Sequence, residues 1–270
     1  MSNIARAFQD GKAFIPFITA GDSSVAVTEE CIRRMARAGA DLIEIGIPFS
    51  DPTAEGPVIM AANERALAGG VTTDDVFAMV ARLRKGEGGP AVVVPFVFMT
   101  YANVVFSYGV ERFMERAAQA GVDGLILPDV PFEERGEFAG PAQRFGLDLV
   151  SMVAPTSKDR IRTIAREASG FVYVVSSLGV TGTRSKITTD VGELVSHIRE
   201  VSDVPAAIGF GISTPEQARS MAQVADGAIV GSAIMKIVAA HGVQAPAEVE
   251  AYVARMAQAV RGVSDATPGV

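Results

Sequence analysis

Eight short apolar runs alternate with amphipathic helical patterns along the 270 residues of this chain. Continuous apolar runs of this length are typical of parallel strands that helices cover on both faces. A phrase in which glycine ends a helix just before the next strand also recurs, as in ARAGADLIEI and AQAGVDGLIL. The runs occupy residues 13–21, 41–48, 91–99, 122–129, 148–155, 170–176, 204–210 and 227–232.

This order of elements predicts an α/β fold, a single-domain (β/α)8 TIM barrel with extra N-terminal and loop helices. We expect the barrel to span residues 1–265 and residues 266–270 to form a disordered tail. Residues 49–90 are longer than one crossover needs and should hold an additional helix. The alternative is an open doubly wound sheet, but no GxGxxG turn follows the first run.

Composition excludes several classes of function. The net charge of −7 disfavours binding to nucleic acid or to an anionic membrane. The single cysteine, Cys31, has helical spacing with apolar neighbours, and His197 and His241 both lie in helix-like segments, so a disulfide, a catalytic thiolate or a metal site is not expected. The chain has no signal-peptide pattern and no apolar run of about 18 residues, so we expect a cytoplasmic protein.

A glutamate interrupts the second apolar run, DLIEIGIP. Because side chains alternate along a strand, Glu44 shares a face with Leu42 and Gly46, while the isoleucines face the helices. Glu44 therefore points into the barrel near the carboxyl ends of the strands, where enzymes with this fold carry their chemistry. Burial should raise its pKa, which suits a general acid and base. The alternative is a structural ion pair, although no basic residue lies in the neighbouring runs.

Three further segments follow strand ends. The proline-rich loop SDPTAEGP carries Asp51 and Glu55, and an ordinary solvated acidic loop remains an alternative for it. GFGISTPEQA and GSAIMK open helices with glycine and serine after the last two runs, which predicts a phosphate site. Residues 176–190, SSLGVTGTRSKITTD, have the composition of a lid that closes over substrate.

Together these motifs resemble one known family. IEIGIPFSDPTAEGP, MTYANVVFSYG, LPDVPFEE, LGVTGTR, GFGIS and GSAIMK follow in order, and with them the chain is similar to tryptophan synthase alpha subunits over about residues 2–265. The resemblance implies a lyase of tryptophan biosynthesis that cleaves indole-3-glycerol phosphate to indole and glyceraldehyde 3-phosphate. It implies no cofactor or metal in this chain.

The resemblance also implies roles for individual residues. Glu44 would be the acid and base, Glu55 would bind the indole N–H, Tyr173 would contact the glycerol chain, and Thr181 would engage the second carboxylate when the lid closes. The apolar slot for the indole ring would contain Phe17, Ile59, Met99 and Leu125 or Leu127. Phosphate would bind backbone N–H groups of Gly182, Phe210, Gly211, Gly231 and Ser232.

The chain departs from the family at three positions in this region. Family members usually carry aspartate where this chain has Glu55, an aliphatic residue at Thr53 and glutamine at Met60. The additional methylene of Glu55 would move the carboxylate by roughly 1 Å, and a misplacement on that scale can cost about 10²-fold in rate.

The expected partner is a beta subunit that holds pyridoxal phosphate in an αββα complex. The interface residues implied by the resemblance are Pro48, Asp51, Asn103, Asp129 and Pro131. Three alternatives remain open at this point: another phosphate-binding barrel enzyme, a non-catalytic subunit that only regulates its partner, and a lyase that works without a partner.

Overall fold

A computed structural model describes residues 3–175, 191–209 and 211–263. In these residues, nine parallel strands form one sheet in the order β5-β4-β3-β2-β1-β9-β8-β7-β6. The strands are β1 Ala13–Thr19, β2 Ile43–Gly46, β3 Phe96–Met99, β4 Gly124–Ile126, β5 Asp148–Leu149, β6 Ser151–Val153, β7 Val172–Val175, β8 Ala206–Gly209 and β9 Gly227–Val230.

Helices connect successive strands, as the predicted barrel requires, except between β5 and β6, which only Val150 separates. The helices are α1 Asn3–Arg6, α2 Val25–Arg37, α3 Pro57–Ala68, α4 Thr73–Lys85, α5 Ala102–Tyr108, α6 Val110–Ala120, α7 Gly136–Arg144, α8 Lys158–Arg166, α9 Val191–Arg199, α10 Pro215–Val224, α11 Ser232–His241 and α12 Ala245–Arg261. The barrel prediction is confirmed. The extra helix expected within residues 49–90 is also confirmed, because both α3 and α4 lie there.

The sheet contains nine strands where eight were predicted, because the run at 148–155 divides at Val150. β5 pairs with β4 on one side, whereas β6 pairs with β7 on the other. The Val150 N–H still donates to the Leu125 carbonyl oxygen at 2.9 Å, so the two strands remain continuous along the chain. The same segment of chain therefore joins the two ends of the sheet, so that the barrel is nearly closed.

The third run was predicted to be a buried strand over residues 91–99, but residues 91–95 do not form a strand. Regular pairing begins only at Phe96, and Val93 is 87% exposed. Pro95 has no N–H to donate to a neighbouring strand. The Arg84 guanidinium donates to the Val92 and Val94 carbonyl oxygens at 2.8 and 2.7 Å, so a side chain supplies the donors that a strand would otherwise supply.

The predicted positions of cysteine and histidine are confirmed. Cys31 lies in α2 with no exposed surface, and burial raises the pKa of its thiol to about 12. His197 lies in α9 and His241 is the last residue of α11, so neither is at a strand end. The expected tail, residues 266–270, lies outside the described residues. The assignment of residues 1–265 to one domain stays a prediction.

Candidate active site at the carboxyl ends of the strands

Glu44 lies in the middle of β2 and is 1% exposed. In the sheet it is level with Phe17 of β1 and Val97 of β3, which are both apolar. Its Oε2 has no hydrogen-bond partner among the described residues, and none of their basic side chains pairs with it. The described residues therefore give no support to the structural ion pair considered from the sequence. Burial and, to a smaller extent, the negative charge of Glu55 raise the pKa of Glu44 to about 8.

Glu55 lies just before α3 and is 7% exposed. Its Oε2 accepts a hydrogen bond of 2.7 Å from the Asn63 side-chain amide. Burial raises the pKa of Glu55 to about 7, although the bond from Asn63 opposes that rise. The solvated-loop alternative is wrong for Glu55, whereas Asp51 in the same loop is exposed.

The loop that carries Glu55 is held over the end of β2 by Tyr101. The Ala54 N–H donates to the Tyr101 hydroxyl oxygen at 3.2 Å, and the Tyr101 ring packs against Phe49 with centroids 5.2 Å apart. Tyr101 is itself 2% exposed, so the packing around it restricts its position. Through Tyr101, the loop is therefore attached to the segment between β3 and α5, and it does not extend freely into solvent.

Both carboxylates line one cavity at the carboxyl ends of the strands, with about 490 Å³ of empty volume that includes some space open to solvent. The lining residues are Phe17, Glu44, Glu55, Ile59, Met99, Tyr173, Gly211, Ile212, Ile229, Gly231 and Ser232. The structure thus brings most of the expected site residues together. Sequence reasoning did not single out Ile212 or Ile229, although Ile229 could have been found from the alternation along GAIVGS.

Leu125 and Leu127 were expected in the indole slot, and neither lines this cavity. In the parallel pairing of β3 with β4, Met99 is level with Ile126, and level residues in neighbouring strands point to the same face. Ile126, which was not considered, therefore shares the inner face with Met99. Leu127 lines a separate groove beside α8.

Two glycines leave room for the Phe17 ring. A Cβ atom at Gly46 would lie 2.7 Å from the ring carbon Cζ, and one at Gly231 would lie 3.2 Å from Cδ1. At Gly209, a Cβ atom would lie 2.4 Å from the Tyr173 hydroxyl oxygen. A residue larger than glycine at any of these positions would require the neighbouring atoms to shift. The Phe17 and Tyr173 rings therefore lie directly against the glycine backbone beside the cavity.

The two helix starts predicted to bind phosphate differ in how they are capped. At α10, Thr214 and Gln217 form a reciprocal capping box, so part of that helix start is already occupied. α11 begins at Ser232 after Gly231, and no side-chain hydrogen bond caps it. Free N–H groups in a first turn are suited to an anion, so α11 is the better candidate within the described part of the chain.

Several expected site residues cannot be placed. Thr181 and Gly182, with the rest of the predicted lid at 176–190, lie outside the described residues, as does Phe210. Gly211 is described, and its positive φ of 84° is one that glycine adopts readily.

The expected interface residues lie in the segments that follow β2, β3 and β4. Asp51, Asn103, Asp129 and Pro131 are exposed, but Pro48 is buried within this chain. Both carboxylate oxygens of Asp129 accept from the Ala102 N–H at 3.1 Å, which ties the segment after β4 to the start of α5. Pro48 nevertheless borders a surface groove that Asn103 also lines.

A larger groove lies at the opposite end of the barrel, with about 2050 Å³ of empty volume. Two ion pairs lie in it: Arg84 with Asp123 at 2.8 Å, and Arg261 with Asp41 at 2.6 Å. These pairs lie near the amino ends of the strands and stabilise the barrel there. The smaller cavity is therefore the candidate site, since it holds Glu44, whose Oε2 has no hydrogen-bond partner in the described part of the chain.

The pKa values of the two glutamates predict how stability depends on pH. Unfolded, each carboxyl would lose its proton near 4.5, whereas folded Glu44 and Glu55 keep theirs to about 8 and 7. The folded state then binds more protons, so these groups lower the free energy of unfolding as the pH rises from about 4.5 to 8, by at most about 1.4 kcal/mol per pH unit each.

Urea unfolding of the wild-type chain and of Glu44→Gln, at several pH values, measures this effect. We expect the stability of Glu44→Gln relative to the wild type to increase with pH across this window. A constant difference between the two proteins would contradict the assigned pKa of Glu44.

Among the described residues, no group of three or more His, Cys, Asp or Glu side chains is arranged to hold a metal ion. No described helix has the length and apolar character needed to cross a membrane.

Comparisons with known proteins agree on one family. The sequence model of the family described as Tryptophan synthase alpha chain matches residues 4–267. The tryptophan synthase alpha chain of Lacticaseibacillus casei is 47% identical over 260 residues, which cover 96% of both chains. That of Geobacter sulfurreducens is 49% identical over 243 residues, covering 88% of this chain and 90% of its own.

Solved structures give the same result. The tryptophan synthase alpha chain from Legionella pneumophila matches this fold with a TM-score of 0.86 at 35% identity, covering 98% of this chain and 99% of its own. A chain of the Mycobacterium tuberculosis tryptophan synthase matches with a TM-score of 0.86 at 33% identity, covering 96% of this chain and 98% of its own.

Proposed function

The chain belongs to the tryptophan synthase alpha chain family and is a lyase of tryptophan biosynthesis. We propose that the cavity around Glu44 is where it cleaves indole-3-glycerol phosphate. One observation carries this assignment: a buried carboxyl with a pKa of about 8, one of whose oxygens has no hydrogen-bond partner among the described residues, faces an apolar cavity that a second buried carboxyl also lines. An apolar site with two carboxyl groups of raised pKa suits a reaction that adds one proton and removes another.

The proposed reaction is a retro-aldol cleavage. Glu44, protonated at neutral pH, donates its proton to the indole carbon that bears the glycerol chain. The resulting carboxylate then accepts the proton of the neighbouring glycerol hydroxyl as the carbon–carbon bond breaks. One proton is added to carbon and one leaves oxygen, so indole and glyceraldehyde 3-phosphate together contain all the atoms of the substrate.

The remaining roles follow from chemistry and from the family. Glu55 accepts a hydrogen bond from the indole N–H, while Phe17, Ile59 and Met99 contact the ring and Tyr173 contacts the glycerol chain. The uncapped start of α11, at Gly231 and Ser232, supports phosphate binding there, together with Gly211. The family resemblance is the support for adding Gly182 and Phe210 to the phosphate site and for a contact between Thr181 and Glu55 on closure.

We further propose that the partner is a beta subunit that holds pyridoxal phosphate, in an αββα complex, and that this chain needs no cofactor of its own. The exposed positions of Asp51, Asn103, Asp129 and Pro131 support an interface beside the mouth of the cavity. A cytoplasmic location stays a prediction.

The test is indole release from indole-3-glycerol phosphate by the purified chain, with and without a cognate beta subunit. We expect weak cleavage by the chain alone and a large increase with the partner. Strong cleavage that the partner does not increase would indicate a lyase that works alone. Absence of cleavage under both conditions, with the substrate still bound, would overturn the proposal and indicate a regulatory subunit.

A further inference from the structure

Asn63 is an unusual residue for its position in α3. The helix buries Ile59, Ala62 and Ala66 toward the barrel, and Asn63 lies among them with 3% of its surface exposed. Burying a side-chain amide is unfavourable unless it is hydrogen-bonded. The Asn63 amide nitrogen donates to Glu55 Oε2 at 2.7 Å, a bond between two buried groups.

We propose, on the basis of the function assigned above, that Asn63 is a positioning residue for Glu55. Its amide holds Oε2 of the carboxylate and so leaves Oε1 for the indole N–H of the substrate. A glutamate has one more rotatable bond than an aspartate, so without such a donor its carboxylate would sample more positions in the cavity. The bond from Asn63 thus compensates for the longer side chain at this site.

The support for Asn63 is itself rigid. The neighbouring Arg65 binds the Asp22 carboxylate through two hydrogen bonds of 2.7 and 2.8 Å, and the Asp22 side chain has no exposed surface. α3 is therefore attached to the segment that follows β1, and Ile59, one turn before Asn63, lines the cavity. A donor on a helix fixed in this way can hold the carboxylate more closely than one on a loop.

The same bond affects the protonation of Glu55. Burial raises the pKa of this carboxyl, and the Asn63 donor lowers it, because the bond favours the ionised form. Removal of the donor should raise the pKa of Glu55 further. If ionised Glu55 binds the indole N–H, a larger fraction of the enzyme would then be inactive at neutral pH.

The experiment replaces Asn63 by leucine, which has a similar branched shape, a larger volume and no donor. We expect kcat/KM for indole release to fall by about 10- to 10²-fold, as for other small misplacements of a reacting group. The acid limb of the kcat/KM profile should move to higher pH. The matched control is Glu64→Ala, the exposed neighbour on the same helix, which should change neither quantity.

A double-mutant cycle separates positioning from general damage to the helix. Glu55→Ala removes the carboxylate that Asn63 binds. In that background Asn63→Leu should have little further effect, since coupled residues are not additive. Additive losses, or an acid limb that does not move, would overturn the proposal.

The wild-type chain is assayed alongside, so that failure of the proposed function can be distinguished from failure of the positioning role. If the proposed function is wrong, the wild type itself will not cleave the substrate. Failure of the positioning role alone would appear as an active wild type with an equally active Asn63→Leu. If the leucine variant does not fold, Asn63→Ser provides the same comparison, because its hydroxyl is too short to reach Glu55.

Discussion

Glu44→Gln is expected to lower kcat/KM for indole release by about 10²–10⁴, the usual contribution of a positioned acid or base. Glutamine has nearly the same shape as the protonated carboxyl but can neither give up a proton nor accept one at neutral pH. The position is 1% exposed and has no charged partner among the described residues, so no ion pair is broken. We therefore expect the barrel to fold as in the wild type.

Rates are measured with saturating beta subunit, and folding is checked by circular dichroism and thermal unfolding. Glu115→Gln, an exposed glutamate on α6 far from the cavity, is the matched control and should cleave at the wild-type rate. Near-normal indole release by Glu44→Gln would mean that another group transfers the proton.

Arg65→Met is expected to have the largest effect on stability. It removes both hydrogen bonds to Asp22 and leaves a carboxylate with no exposed surface without its charged partner. Loss of one member of a buried ion pair typically costs about 3–5 kcal/mol. Since Arg65 is itself 41% exposed, we expect the free energy of unfolding to fall by about 3 kcal/mol, at the lower end of that range.

Urea unfolding measures this loss, and a second pair serves as the control. Arg82 is 39% exposed and binds Glu29, whose side chain is 16% exposed, so Arg82→Met leaves a less buried carboxylate behind. We expect a loss of at most about 1 kcal/mol there. The double variant with Asp22→Asn should recover part of the stability that Arg65→Met loses. Equal losses at Arg65 and Arg82 would show that the burial of Asp22 has no energetic consequence.

Alternation along a strand was sufficient to place Glu44. In β2 the period of two distinguishes an inner from an outer face without any knowledge of neighbours, and Glu44 lies on the cavity side as predicted. The same rule, applied to β4, separates Gly124 and Ile126 from Leu125 but does not say which set faces inward. Leu125 and Leu127, which came from family resemblance, do not line the cavity, and the register of β4 with β3 puts Ile126 level with Met99 on the inner face.

Local propensity failed where an arginine side chain from the preceding helix replaced a strand neighbour. Residues 91–95 have the composition of a strand, but Arg84 binds the carbonyl groups of Val92 and Val94 and no strand forms there. Likewise, nothing in the apolar run at 148–155 marks Val150 as the point where pairing changes from β4 to β7. Both outcomes depend on which partner each backbone group meets in the closed barrel.

The sequence by itself determined the order of strands and helices, the barrel, the inner position of Glu44 and the motifs of the family, because these depend on local periodicity and on residue type. Only the tertiary structure decided that Asn63 binds Glu55, that Arg65 pairs with Asp22, and that the start of α11 is uncapped. All three depend on how side chains are arranged in the folded barrel. The bond between Asn63 and Glu55 and the pair of Arg65 with Asp22 depend in addition on burial away from water. The pKa values of the two glutamates belong to this second group, since desolvation exists only once the barrel has formed.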